Sequence, residues 1–165
     1  MTSYLEAAYQ KYIDPKELSE KVAQLKAENK TIVTLNGSFD VLHAGHLEMI
    51  YQASLQGDVL IMGLNTDRSI QAYKSPLRPI IPLQYRLQMI AALHMVDYVS
   101  WFDETHPIEW LKVIQPHVHV NGAEYGAQCI EADTVLEYGG RVHIVELVPG
   151  LSTSEIIKKI VSLCG

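Results

Sequence analysis

A chain of 165 residues with 48% apolar and 19% charged residues is long enough for one hydrophobic core and too apolar to remain disordered. Its net charge of −6 comes without a basic stripe, which argues against a nucleic-acid partner, and no apolar run is long enough to span a membrane. No signal-peptide pattern opens the chain, and its two cysteines lack metal-ligand spacing, so we expect a cytoplasmic protein.

The first 30 residues predict a helical extension that packs on the domain that follows it. Asp14 suits a helix cap, and Pro15 suits the first turn of that helix. The apolar face of the helix would consist of Leu18, Val22 and Leu25. Next, the β-branched, apolar run 31–35 predicts a buried strand, and apolar residues at helical spacing over 47–55 predict a helix.

The rest of the chain repeats this alternation of strand and helix. Further strands are predicted over 58–64, 97–102, 117–121 and 141–148. Further helices are predicted to begin near Pro82, Thr105, Ile130 and Ser152. The alternation predicts a single α/β domain over 1–165, with a Rossmann-like parallel sheet of about five strands and helices on both faces.

The most informative stretch is the loop over 36–46, which connects the first strand to the first helix after it. A helix N-terminus presents unpaired N–H groups and a partial positive charge, which suit an anion. Gly37 and Gly45 allow a ligand to approach the backbone closely. His43 and His46 lie one helical turn apart, so both side chains can donate to the same phosphate. The loop therefore predicts a phosphate site.

Two other interpretations of the histidines are open at this point. His43 and His46 could be structural residues, or they could bind a metal ion with Asp40 as a third ligand. His117 and His119 also share one face of a strand and could mimic a metal pair. Because valines occupy the opposite face of that strand, a half-exposed strand is favoured over a metal site.

Three further groups of polar residues accompany the loop. The segment 65–67 follows the second strand, at the edge of the sheet where α/β proteins bind ligands. The segment 152–155 is a capping box, and Thr153 within it suits either a helix cap alone or a phosphate contact. Positive charges that suit a small anionic ligand cluster at Arg68, Lys74, Arg78 and Arg86.

The string GSFDVLHAGH resembles the signature of the cytidylyltransferase-like nucleotidyltransferases, in which the HxGH motif holds the nucleotide phosphates. From about Leu18 to Ile160 the chain resembles the adenylyltransferases of ADP-heptose synthesis. The further residues that carry this resemblance are Asn36-Gly37, Asn65-Thr66-Asp67, Lys74, Arg78-Pro79, Arg86, the segment from Gly122 to Tyr125, and the closing LSTSEII. Cytidylyltransferases of glycerol 3-phosphate carry an arginine before the closing motif, where this chain has Leu147-Val148-Pro149.

The resemblance implies a fold of the HxGH nucleotidyltransferase type and a role for each matching residue. The implied catalytic residues are His43, His46 and Lys74. The implied nucleotide-binding residues are Gly37, Ser38, Phe39, Asp40, Gly45, Asn65, Asp67, Arg86, Gly122, Glu124, Tyr125, Ser152 and Thr153. The implied substrate-binding residues are Asn36, Asp40 and Arg78. Mg²⁺ is expected mainly on the phosphates of ATP, without protein side chains as ligands.

The resemblance also implies a reaction, in which AMP passes from ATP to D-glycero-β-D-manno-heptose 1-phosphate to give ADP-heptose and pyrophosphate for a lipopolysaccharide precursor. The acceptor phosphate is largely dianionic at neutral pH, so the enzyme needs no nucleophile of its own. A separate upstream sugar kinase and a homodimer, with a candidate surface near Trp101 to Trp110, are further expectations. The alternatives are CTP with an alcohol phosphate such as glycerol 3-phosphate, a non-catalytic nucleotide-binding module, and a metal hydrolase.

Overall fold

The computed structural model describes residues 3–124, 126, 128–146 and 148–164. Over these residues the helices are α1 (Tyr4–Tyr9), α2 (Leu18–Ala27), α3 (Ala44–Ser54), α4 (Asp67–Tyr73), α5 (Leu83–Ala91), α6 (Ile108–Ile114), α7 (Ala132–Glu137) and α8 (Thr153–Cys164). The strands are β1 (Ile32–Gly37), β2 (Val59–Asn65), β3 (Tyr98–Phe102), β4 (Val118–Gly122) and β5 (Arg141–Val145). No helix in the described part of the chain is long and apolar enough to cross a membrane.

The five strands form one parallel sheet in the order β3-β2-β1-β4-β5. Helices cover both of its faces, which explains why the interior strands are mostly buried; all seven residues of β2 are buried. This arrangement confirms the predicted α/β, Rossmann-like parallel sheet. Each of the five predicted strands overlaps an observed one.

The two faces of the sheet carry separate apolar clusters. On one side, α1, α3 and α5 pack against residues such as Val33, Leu35 and Met62; we call this side the α3 face. On the other side, α2, α6 and α7 pack against Ile32 and Ile61; we call this side the α6 face. Because side chains alternate along a strand, every second residue of β1 and β4 faces α3 and the others face α6.

The segment before α2 covers the outer edge of β3. The backbone N–H of Ile13 donates to the Val99 carbonyl at 2.9 Å, and the Val99 N–H donates to the Lys11 carbonyl at 2.8 Å. The Lys11 ammonium in turn donates to the carbonyls of Leu93 and Val96. These bonds satisfy an edge that would otherwise present unpaired backbone groups to other chains.

The topology places a crevice between β1 and β4. The chain leaves β1 through α3 to reach β2 on one side, and it leaves β3 through α6 to reach β4 on the other side of β1. The connections after β1 and β4 therefore diverge at the carboxyl edge of the sheet. Open α/β sheets bind their ligands at such switch points.

Two local predictions were wrong, and one helix was not predicted. Asp14 does not cap a helix, because it accepts from the Lys16 N–H in a separate turn and α2 begins only at Leu18. Helix α4 was not predicted, although Thr66 caps it by accepting from the Ser69 N–H at 3.1 Å. His119, predicted on a half-exposed strand, is fully buried because β4 is an interior strand with helices on both faces.

Helix α3 offers a matched test of core packing. Ile50 is fully buried against the sheet, whereas Leu55, at the end of the same helix, is 60% exposed. We expect Ile50→Ala to lower the free energy of unfolding by about 2–5 kcal/mol, because it leaves a cavity in a close-packed core. Leu55→Ala should change it by no more than about 0.5 kcal/mol. Urea unfolding of both variants checks this, and equal effects would contradict the assigned packing.

Candidate active site

The loop between β1 and α3 has an unusual backbone. Phe39 and Val41 both adopt the left-handed conformation, with φ of 47° and 55°. For a β-branched residue such as Val41 this conformation costs about 1–3 kcal/mol, so the surrounding structure must hold it in place. Such conformations concentrate at functional sites. The contacts of Asp40, which lies between these two residues, show what holds the loop.

Asp40 fastens this loop to the segment before α5. Its carboxylate is fully buried and accepts from the Arg78 Nε at 2.7 Å and from the backbone N–H groups of Ile80 and Ile81, both at 2.9 Å. Burial acts to raise the pKa of Asp40, but these three donors outweigh it and hold the pKa below its ordinary value. The side chain therefore contacts protein donors and leaves no oxygen facing open space.

Arg86 makes a second connection under the same loop. The guanidinium is fully buried and donates to the carbonyls of Ser38 (2.6 Å) and Ile81 (2.9 Å) and to the Asp67 carboxylate (2.7 Å). Asp67 also accepts from the Leu83 N–H at 2.9 Å. The structure thus places Arg86 and Asp67, both predicted to bind nucleotide, in contacts that join α4, α5 and the loop.

The two histidines stack at the beginning of α3. Their ring centroids lie 3.8 Å apart with an interplanar angle of 25°. The backbone N–H of His43 donates to the His46 Nδ1 at 3.3 Å. A side chain at Gly45 would meet the His43 ring, because an added Cβ would lie 3.0 Å from Cε1 and 3.1 Å from Nδ1. His43 Nδ1 is buried and has no hydrogen-bond partner among the described residues.

Both histidines are neutral in the free protein at neutral pH. Burial, with the nearby charges of His43 and Lys74, lowers the pKa of His46 to about 4. Burial also lowers the pKa of His43. A neutral imidazole carries one N–H donor, so each ring can donate one hydrogen bond to an anionic oxygen.

Two cationic side chains flank the loop. The Lys74 ammonium donates to the Ser38 hydroxyl at 3.2 Å, and burial followed by the charge of Arg78 lowers its pKa. Arg78 uses its Nε on Asp40, while its Nη2 is buried without a partner among the residues described. Lys74 and Arg78 therefore bring positive charge to the carboxyl edge of the sheet beside the histidines.

The beginning of α8 lies against the same loop. The Thr153 hydroxyl donates to the Asp40 carbonyl at 2.9 Å, and the Ser152 hydroxyl accepts from the Glu155 N–H at 3.2 Å. An added Cβ at Gly45 would lie 3.7 Å from the Cβ of Leu151, which places the turn before α8 beside α3. Two helix N-termini thus converge on the loop, and both present partial positive charge.

The remaining predicted residues lie around this centre. Asn36 and Gly37 end β1, and an added Cβ at Gly37 would lie 3.3 Å from the Phe39 ring. Asn65 is buried and donates to the Ser69 hydroxyl at 2.9 Å. The carboxylate of Glu124 lies over Gly122 at the end of β4. Tyr125, predicted in the base pocket, lies outside the described residues.

Sequence reasoning did not identify the backbone donors of Ile80 and Ile81, because main-chain groups leave no signature in a sequence. It also did not predict that the Arg86 guanidinium is fully buried and bound to protein atoms. One signal was available: Arg86 stands four residues before Ile90, on the apolar side of α5. A charged residue at a core-facing position is typical of a buried, hydrogen-bonded clamp.

The geometry argues against a metal site formed by Asp40 and the two histidines. Both oxygens of Asp40 accept from protein donors. The part of the chain that the structure describes contains no group of three or more His, Cys, Asp or Glu side chains placed to bind a metal ion.

Residues 34–160 match the family model described as cytidylyltransferase-like. The chain belongs to the cytidylyltransferase-like family. This finding confirms the resemblance that the HxGH string indicated, and it identifies the chain as a nucleotidyltransferase of this family. The matched region begins within β1 and ends within α8, so it includes the loop, the stacked histidines and the beginning of α8.

Curated relatives carry the name bifunctional protein HldE. The chain is 43% identical to the one from Syntrophotalea carbinolica over 136 residues, which are 82% of this chain and 28% of that protein. It is 43% identical to the one from Methylobacillus flagellatus over 146 residues, 88% of this chain and 30% of that protein. The chain thus spans less than a third of the length of these relatives.

Two solved structures share the fold. The lipopolysaccharide core biosynthesis protein from Thermoplasma volcanium superposes with a TM-score of 0.57 at 25% identity, over 72% of this chain and 97% of that chain. Pantoate-beta-alanine ligase from Francisella tularensis superposes with a TM-score of 0.60 at 16% identity, over 92% of this chain and 77% of that chain.

The low pKa of His46 predicts the pH range in which its imidazole binds a proton. We expect His46 to remain neutral at pH 5, because its pKa is about 4 in the folded protein. NMR titration of the imidazole resonances checks this, with His46→Gln used to assign the signal. As pH falls from about 6.5 to 4, the unfolded chain binds a proton that the folded chain does not, so this histidine makes stability decline in that window. Protonation of His46 above pH 6 would contradict the assigned environment.

The buried carboxylate of Asp40 predicts a stability effect. Asp40→Asn removes the charge that Arg78 faces and replaces one accepting oxygen with an NH₂ group, so we expect a loss of about 2–4 kcal/mol. Glu155→Gln is the matched control, because its ion pair with Lys158 lies on the surface and should contribute nothing measurable. Denaturant unfolding compares them, and equal stability of both variants would contradict the role of Asp40.

Proposed function

We propose that this chain transfers AMP from ATP to a sugar 1-phosphate, D-glycero-β-D-manno-heptose 1-phosphate, and so produces ADP-heptose and pyrophosphate. The observation that carries the proposal is the pair of stacked, neutral histidines at the beginning of α3, with two cationic side chains and the beginning of α8 around it. The relatives named bifunctional protein HldE and the lipopolysaccharide core biosynthesis protein support a role in a heptose-bearing glycan.

In this reaction an oxygen of the acceptor phosphate forms a bond to the α-phosphorus of ATP. The bond from that phosphorus to the bridging oxygen breaks, and its electron pair leaves with pyrophosphate. Because the acceptor is already anionic, no protein base or nucleophile is required. The protein must align the two phosphates and stabilise the charge that develops on the leaving group.

The described contacts suggest which residues meet the ligand. His43 and His46 would donate to the triphosphate, and Ser152 and Thr153 would hold its β and γ phosphates at the N-terminus of α8. Lys74 would stabilise the transferred phosphate. Arg78, whose Nη2 has no partner among the described residues, would face the acceptor phosphate. This part of the proposal follows the roles that the family resemblance implies.

A second set of residues would act by positioning. Asp40, Asp67 and Arg86 are engaged with protein atoms, so we assign them to holding the loop, α4 and α5 in register. The backbone of Gly37, Ser38, Phe39 and Gly45 would border the nucleotide. Asn65 would hold the carboxyl end of β2 against α4 through its hydrogen bond to Ser69. The segment that contains Gly122, Glu124 and Tyr125 would border the base.

Nucleotidyltransferases generally use a divalent metal ion with their nucleotide. We propose Mg²⁺ for this chain. Protein donors occupy the Asp40 carboxylate, so the phosphates of ATP, rather than protein side chains, would supply most of the ligands of the ion. The ion would offset negative charge on the leaving pyrophosphate. The protein's own donors to the triphosphate would be the two histidines, Lys74 and the beginning of α8.

The proposal extends to the context of the chain. The proposed reaction needs a sugar 1-phosphate, so we propose that a sugar kinase acts upstream of the nucleotidyltransferase domain over 1–165, either separately or within a longer chain. The use of ATP favours the cytoplasm as the compartment. A homodimer stays a prediction. Trp110 packs over Gly63 and is buried, so it is not available as part of the dimer surface predicted near Trp101 to Trp110.

The experiment that tests the function measures pyrophosphate release with Mg²⁺, with ATP and CTP each paired with heptose 1-phosphate and glycerol 3-phosphate. We expect release with ATP and heptose 1-phosphate. Release only with CTP and glycerol 3-phosphate would retain the mechanism and overturn the substrates. ATP binding without release in any pairing would favour a non-catalytic nucleotide-binding module.

His46→Ala tests the mechanism within that assay. We expect turnover to fall by about 10²–10³-fold, as when one donor to a developing negative charge is removed. The matched control is His94→Ala, because His94 is exposed and follows α5 at the opposite, amino edge of the sheet. Near-normal turnover in His46→Ala, or an equal loss in both variants, would overturn the assigned role of His46.

A further inference from the structure

A cavity of about 490 Å³ lies at the carboxyl end of β3, between α6 and the beginning of α2. Pro15 and Leu18 line it on one side, and Trp110 and Val113 line it on the other. Its volume is within the range of about 300–1,000 Å³ that small-molecule sites occupy. None of the residues that line it is among those assigned above to the nucleotide or to the acceptor. The cavity is therefore a candidate for a second ligand site.

One wall of this cavity lies outside the region that matches the family model. Pro15 and Leu18 precede residue 34, where the match begins. The segment that carries them is fixed to the sheet, because the Ile13 N–H donates to the Val99 carbonyl and the Leu18 side chain is buried. The cavity is therefore bordered by ordered residues, and its presence does not follow from the family match.

The floor of the cavity is apolar and aromatic. Phe102 and Trp110 both line it, and their ring centroids lie 5.8 Å apart. Leu18 belongs to the same apolar cluster as these two rings, whereas Val113 is 44% exposed and borders the opening. Aromatic rings provide a large apolar contact area, and the negative face of a ring also attracts a cation. The floor thus suits an apolar body, with or without a positive charge.

The rim of the cavity is negative. Asp103, Glu104 and Glu109 also line the cavity. Arg68 pairs with Asp103, and Lys112 pairs with Glu109. Glu104 accepts from the Asp103 N–H at 3.1 Å and has no cation as a partner in the described part of the chain. Three carboxylates are therefore paired with only two cations.

The ion pairs at the rim leave its carboxylates available to a ligand. The side chains of Glu109 and Lys112 are 65% and 43% exposed, and that of Arg68 is 82% exposed. Ion pairs as exposed as these contribute little, so a competing cation can replace them at small cost. The hydroxyl of Thr66, which also lines the cavity, already donates to Asp103. An anion would meet three carboxylates, whereas a cation would gain hydrogen bonds to them.

We propose that this cavity binds a small organic ammonium ion, with its apolar body against Phe102 and Trp110 and its ammonium group beside Glu104 and Glu109. An ammonium group donates charge-assisted hydrogen bonds to carboxylates, and the aromatic floor attracts the same charge. An uncharged molecule of the same shape would retain only the apolar contacts. The inference does not depend on the proposed function, because the two sites share no residue.

The test is an NMR titration of the full chain at pH 7 with three probes of similar shape: 2-phenylethylammonium, 2-phenylethanol and 3-phenylpropanoate. The chain has two tryptophans, so Trp101→Phe assigns the indole N–H signal of Trp110. We expect the ammonium ion to shift this signal and to bind about tenfold more tightly than the alcohol, as a cation over aromatic rings beside carboxylates predicts. The carboxylate probe should not bind, and added ATP should not displace the ammonium ion.

Two pairs of variants locate the site. We expect Glu104→Gln to weaken binding of the ammonium ion about 3- to 10-fold, because it removes one charge from the rim. Glu48→Gln is its control, since Glu48 is an exposed carboxylate on α3. Val113→Trp should fill the cavity and abolish binding, whereas Val161→Trp, at a 64% exposed position of α8, should not. Thermal unfolding of each variant confirms that it is folded.

The outcomes separate this inference from the proposed function. Equal affinities for the ammonium ion and the alcohol, or no binding of either, would overturn the assigned class of ligand. Undiminished binding in folded Val113→Trp, or displacement of the ammonium ion by ATP, would overturn the assigned position. Because the titration requires no turnover, a protein that is inactive with every pair of substrates would overturn the proposed function alone.

Discussion

The geometry of the site depends on one buried carboxylate. Asp40 brings together three donors that come from a segment about forty residues later in the chain, and the carbonyl of the same residue accepts from Thr153. A carboxylate buried without such donors would have to bind a proton, because an unpaired charge is too costly in a protein interior. The loop after β1, the segment before α5 and the beginning of α8 are therefore held together by the carboxylate and the backbone carbonyl of a single residue.

The contacts of Asp40 and Ser38 explain how the histidines can be neutral while their surroundings still suit an anion. Burial first, and then the nearby charges of His43 and Lys74, lower the pKa of His46 and so disfavour a proton on its ring. Positive charge is thus carried by side chains anchored at Ser38 and Asp40, while the rings supply directed N–H groups. Donors that are already oriented need no reorganisation when charge develops, which is the main source of electrostatic catalysis.

The sequence predicted most of the fold, and it predicted most of the residues that the structure brings together around the loop after β1, because both follow from local patterns. Alternating strand and helix signals are sufficient for a parallel sheet, and the glycine–histidine loop after β1 indicates its ligand-binding edge. Depth of burial was not predictable in the same way. Arg86 and His119 are ordinary polar residues in a sequence. Arg86 is buried by the loop after β1 and by α4, and His119 is buried because β4 is an interior strand. Whether a polar residue binds a ligand or holds the frame depends on those distant neighbours.

The loop after β1 and the sheet that carries it differ in how much change they tolerate. Backbone groups, the beginning of α8 and a buried charge hold the loop, so few substitutions fit there. A core position of the sheet needs only an apolar side chain of about the same size. The fold shared with pantoate-beta-alanine ligase, at 16% identity, shows that this sheet can be retained while its side chains change extensively. The contacts around Asp40 depend on particular polar groups rather than on apolar volume, so this is where the chain should tolerate substitution least.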